Sequence, residues 1–142
     1  MSSQPGGDSD WDTVLAHRTP DSRPPVRERF EAAGVTPEQV RAALADGGDG
    51  LFAAATGGAA DWAKALGGHL AVALIAAEVS ALTAHLTSRA SAVRALAVEA
   101  LLDDFSAVTV AGRLGVSRQK VYDIARPSPT GSFIDHAPWR PL

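Results

Sequence analysis

The stretch that decides the fold is FSAVTVAGRLGVSRQKVYDIAR, residues 105–126. Ser106 offers a side-chain oxygen where a helix would begin, and Ala107 to Leu114 then follow a helical pattern. Gly115 supplies the left-handed step that ends such a helix, because it has no Cβ to clash. Ser117 repeats the capping signal for a second helix, from Arg118 to about Arg126. The apolar spacing agrees. Val110, Ala111 and Leu114 form the inner face of the first helix, Val116 plugs the turn, and Val121 and Ile124 form the inner face of the second. Ala111 falls where the two helices would cross most closely, a place that only a small side chain fits. Arg118, Gln119, Lys120, Tyr122, Asp123 and Arg126 are left facing outward.

Two short helices joined at a glycine make the helix-turn-helix geometry. The outward residue types suit a nucleic acid. Arg and Gln bond bidentately to guanine and adenine edges, while Ser117, Lys120 and Arg126 suit phosphates. The segment VAGRLGVSRQKVYDIA, with Ala111, Gly115 and Val121 at intervals of four and six, resembles the helix-turn-helix of bacterial transcription regulators. That superfamily includes resolvase-like and short MerR-, AsnC- or Xre-type readers, and the run LGVSR followed by VY is typical of it. The likeness covers some twenty residues, or thirty-five if a helix at 90–104 opens a trihelical unit. It picks out the module and no particular family. It implies that Ser117, Arg118, Gln119 and Tyr122 face the major groove of double-stranded DNA, with Thr109 and Arg113 near the backbone. Asp123 departs from the pattern. Accepting from a cytosine amine and pairing with Lys120 or Arg126 are both open to it.

Charge is distributed in the same sense. The chain of 142 residues carries a net −3, which by itself argues against non-specific nucleic-acid binding. Residues 1–105 hold eight Lys and Arg against fourteen Asp and Glu, whereas residues 106–126 hold four against one. Positive charge is concentrated where a DNA contact would need it.

Composition bounds the rest. Hydrophobic residues make up 46% of the chain, much of that alanine, so the core is thin and helix is favoured over strand. The expected fold is all-α: a small helical bundle with a C-terminal helix-turn-helix. With no cysteine, disulfides, thiolate catalysis and Cys-based zinc sites are excluded. The four histidines, at 17, 69, 85 and 136, are widely spaced, and His69 and His85 stand about 24 Å apart along a shared helix. No metal or cofactor is expected. Neither a nucleophile–base pair nor converging carboxylates are found, so the expectation is that the chain is not an enzyme. The N-terminus has no basic, apolar leader, and the longest apolar run, Leu70 to Ala77, is too short to cross a bilayer. The protein is expected to be bacterial, cytoplasmic and away from membranes.

Four regions follow. Residues 1–25, rich in Ser, Pro, Gly and Asp, are expected to lack fixed structure, though Trp11, Val14 and Leu15 could form a short docking turn. Residues 26–88 read as a helical region for dimerisation or partner docking. PVRERFEAAG forms a helix stopped by Gly34, and Thr36-Pro37-Glu38-Gln39 opens another with a capping box, buries Val40, Ala43 and Leu44, and ends at Gly47-Gly48. GGDGLFAAATGG, residues 47–58, reads as a loop with one helical turn near Leu51 and Phe52. It lacks the GxxxxGK[ST] pattern of a phosphate-binding loop. Asp61 caps a further helix. One from 69 to 88 carries a stripe of Leu70, Leu74, Ala77 and Ala81 and a second of Ile75, Val79, Leu82 and Leu86, with Glu78, His85 and Arg89 on a solvated face. A helix so widely apolar must be covered, by its neighbours or by a second copy.

Residues 89–126 form the DNA-binding domain. It opens with a helix over 90–104 that turns Val93, Leu96, Ala97, Ala100 and Leu101 inward, with Asp103 and Asp104 as its solvated end. Residues 127–142 are a Pro-rich tail, either without fixed structure or anchored by Phe133, Ile134 and Trp139, with Arg140 then able to reach a phosphate. The leading expectation is a homodimeric, sequence-specific DNA-binding regulator. The alternative is an adaptor or antitoxin-like protein that uses the same fold without DNA readout and binds a protein partner through its acidic N-terminal region.

Overall fold

The computed structural model describes residues 7–126 and 132–138. Among these the chain is all-helical, with α1 Asp8–Val14, α2 Arg23–Ala32, α3 Pro37–Ala45, α4 Asp49–Thr56, α5 His69–Asp104, α6 Ala107–Leu114 and α7 Arg118–Ile124. Short 3-10 turns occupy Pro20–Ser22 and Lys64–Leu66. Two compact units emerge. One holds residues up to 84 together with those from 134, and the other holds residues 85–133.

The first unit is built on aromatic and aliphatic side chains from α1 to α3. Trp11 and Phe30 are both buried and stack with ring centroids 5.6 Å apart at 17°. Leu15, Val26, Val35, Val40 and Leu44 complete the core. The expectation that residues 1–25 lack fixed structure therefore fails from Gly7 onward. Trp11, Val14 and Leu15 recur at helical spacing and are all buried, and a buried tryptophan supplies enough apolar area to order a short helix. Arg23 fastens the following turn through Nε, which donates to the carbonyls of Leu15 (3.0 Å) and Arg18 (3.1 Å). The capping box of α3 forms as expected. Gln39 N–H donates to Thr36 Oγ1 at 3.3 Å, and Thr36 N–H donates to Gln39 Oε1 at 2.9 Å.

Two further expectations need correction in this unit. Residues 49–56, read as loop with one turn, form the whole of α4. Asp61 caps no α-helix, because the chain after it turns and winds only as the 3-10 segment Lys64–Leu66.

The helices expected over 69–88 and 90–104 are one continuous helix, α5. No glycine or proline interrupts residues 69–104, so nothing breaks the backbone ladder there. Its buried line in the first unit is Ala71, Ile75, Glu78 and Leu82, while Leu70 is 65% exposed. Glu78 is thus not part of a solvated face. His17 Nε2 lies 2.5 Å from Glu78 Oε2, and Arg18 donates from Nε to Oε2 (2.8 Å) and from Nη2 to Oε1 (2.9 Å). Burial pushes the Glu78 carboxyl up, but the hydrogen bonds from His17 and Arg18 outweigh it and hold it below the ordinary range. By length and composition α5 also meets the measure for a bilayer-crossing helix, with an 18-residue window of mean hydropathy 1.7. Core helices of soluble proteins share that length and composition.

In the second unit α5 buries Ala92, Ala95 and Val98. The expected inward set is reversed: Val93 is 61% exposed and Leu96 54%, with Ala97, Ala100 and Leu101 also outward. The helix is apolar around most of its circumference, so packing selects the line, and Val98 is the residue that joins the α6 and α7 cluster.

Candidate nucleic-acid interface

The segment begins with two serine caps. Ser106 Oγ accepts from Thr109 N–H at 3.1 Å, and Ser117 Oγ accepts from Lys120 N–H at 3.1 Å. Each satisfies one of the amides that the first turn of a helix leaves without an internal partner. Between them Gly115 has φ +70°, and this left-handed step brings Val116 N–H back to the Ala111 carbonyl at 3.1 Å. One glycine both closes α6 and aims α7.

Val98, Val110, Ala111, Val121 and Ile124 form one buried cluster, with Leu102, Val116 and Ala125 packed against it. Val121 is fully buried. Leu114, expected on the inner face, is 41% exposed. It is the last residue of α6, directly before Gly115.

All eight residues singled out in the sequence, Thr109, Arg113, Ser117, Arg118, Gln119, Lys120, Tyr122 and Arg126, are exposed. Five of them, from Arg118 to Arg126, lie on or just past α7, exposed where Val121 and Ile124 are buried. Thr109 takes a hydrogen bond from Ser106 Oγ on its own hydroxyl at 3.0 Å. The Arg113 guanidinium lies over the Phe105 ring, 5.6 Å from its centre. That cation–π contact steadies the side chain without neutralising it.

Asp123 is the residue whose role the sequence left open. Its Oδ1 accepts from Gln119 Nε2 at 3.4 Å and from Arg126 Nη2 at 3.2 Å. The carboxylate joins two of the eight residues and leaves the Gln119 carbonyl oxygen as that side chain's unengaged end. Lys120 is not paired with it, and Lys120 and Arg118 carry the positive charge of the outer face.

Among the described residues no group of three or more His, Asp or Glu is placed to hold a metal ion. In the tail, Phe133 is half-buried and meets the His85 ring edge-on at 5.2 Å. Ile134 is also half-buried, and Ala137 is buried. Trp139 and Arg140 lie outside the described residues. No protein-family model, curated protein or solved structure matches the chain.

Proposed function

We propose that the chain is a sequence-specific DNA-binding transcriptional regulator whose segment 106–126 acts as a helix-turn-helix, with α7 in the major groove and the protein bound as a dimer. The observation that carries the reading is a division of labour on α7. Val121 and Ile124 are held in a core with Val98, Val110 and Ala111, while on the same seven-residue helix Gln119 and Tyr122 stand exposed opposite that core and Arg118 and Lys120 stand exposed along its flanks. Arg118 and Gln119 have the donors and acceptors that read base edges, and Lys120, Arg113 and the Ser117 hydroxyl suit phosphates.

A single short helix makes few base contacts, so affinity comes from two copies on half-sites about one helical turn apart. Selection of bound sites from random duplex DNA tests this. An enriched site with two-fold symmetry is the expected result, and a pool without enrichment refutes the reading. A second reading, an adaptor whose helical fold binds another protein, draws support from Phe52 and Leu70, which are 72% and 65% exposed. It predicts no duplex binding at any salt concentration.

A further inference from the structure

We propose that a second copy of this chain covers the outer line of α5 between residues 86 and 104, with the two helices antiparallel. The proposal deepens the dimer in the DNA-binding reading and rests on that reading for its purpose. The surface itself is argued and tested without DNA, so either can fail alone.

The line is defined by what α5 does not bury. Ala92, Ala95 and Val98 point into the chain. On the opposite side Leu86, Ala90, Val93, Ala97, Ala100 and Asp104 recur at alternating intervals of four and three, the spacing of a coiled-coil seam. Ala90, Val93, Ala97 and Ala100 are all exposed. Of residues 86–104, Ala92, Ala95 and Val98 are the buried ones, which leaves this stretch of the helix largely uncovered. Three alanines on the seam permit a close approach of two backbones.

Charge identifies the occupant. One edge of the seam carries Arg89, Leu96 and Asp103, each seven residues from the next, and the other carries Thr87, Arg94 and Leu101. When two identical helices pair antiparallel, like edges meet. Centred on Leu96, such a pair sets Leu96 against its own copy and brings each Arg89 to the Asp103 of the other chain. A guanidinium has five donors, so Arg89 can take this carboxylate in addition to its contacts within the chain. In a parallel pair unlike edges meet, and Arg89 would fall beside Arg94. On the other edge the same register sets Arg94 beside its own copy, one like pair against two opposite pairs, whereas the parallel arrangement holds two Arg89–Arg94 clashes and no opposite pair, so charge favours an antiparallel second copy.

Sedimentation velocity on the full chain without nucleic acid, over a range of concentrations, tests the proposal. A monomer–dimer equilibrium is expected, shifted to monomer by Leu96→Asp. Arg89→Asp and Asp103→Arg should each weaken association several-fold, since each sets two like charges together twice. An equimolar mixture of these two variants should recover wild-type association, because every heterodimer then holds two restored opposite pairs. That recovery does not depend on whether Leu96→Asp folds. A wild-type monomer at every concentration overturns the proposal. So does a mixture that associates no better than its separate components, or a chain that binds phosphatidylcholine vesicles through Leu96 instead of dimerising.

Discussion

At the residue scale, two side chains on α7 should behave differently from a third. Arg118→Ala and Gln119→Ala are each expected to weaken specific DNA binding by about 1–3 kcal/mol and to relax preference at one base position, measured by titrating the selected site and its single-base variants. Lys120→Ala should weaken binding to all sequences alike and flatten the salt dependence, because a phosphate contact releases counterions whatever the base. Asp123→Ala is the more informative change. It removes a negative charge from a face that would meet phosphates and frees both Gln119 and Arg126. Affinity for every duplex should therefore rise, while discrimination at the base read by Gln119 falls, because that amide is no longer held by its nitrogen. Equal gains on all sequences, with the preference at that base intact, would show that Asp123 does not orient Gln119. The exposed residues could be picked out from the order of amino acids, since burial of Val110 and Ala111 on α6 and of Val121 and Ile124 on α7 leaves the polar positions of both helices outward. Their links to one another could not, because Asp123 can reach in several directions from a helix surface.

At the scale of elements, the serines and Gly115 hold α6 and α7 in place. Ser117→Ala should cost about 1 kcal/mol by leaving an amide of α7 without its acceptor. Gly115→Ala should cost a similar amount, about 1 kcal/mol, because alanine is strained at a positive φ. Urea unfolding followed by far-ultraviolet circular dichroism measures both. These elements were legible because caps and left-handed glycines are local signals, and the capping box of α3 was readable for the same reason. The buried side of α5 was not. Alanine, valine and leucine surround the helix in its second half, so spacing alone offers several equivalent faces, and only the approach of α6 and α7 selects Val98. The helix α1 was obscured by its acidic and proline-rich surroundings, although Trp11, Val14 and Leu15 carried the needed spacing. Glu78 sits in register with Ala71, Ile75 and Leu82, a visible sign of a core position. Its partners, His17 and Arg18, lie some sixty residues upstream, and no local pattern connects them.

At the scale of the whole molecule, stability should carry the mark of that buried carboxylate. The hydrogen bonds from His17 and Arg18 lower the Glu78 proton affinity in the folded chain. Its contribution is therefore complete above the ordinary glutamate value of about 4.3 and is lost as pH falls through the lower folded value. Denaturant midpoints measured between neutral and acidic pH should show this loss, and Glu78→Gln should reduce its slope. At neutral pH the same substitution should destabilise the chain by about 3 kcal/mol, since it leaves the Arg18 guanidinium without its anion. A reagent for phenols offers a different view of the molecule. The chain contains one tyrosine, and Tyr122 stands 53% exposed on α7. Iodination or nitration of phenol rings can therefore label this protein at a single place, on the surface proposed to enter the groove, and the rate of labelling reports on whether anything has come to rest there.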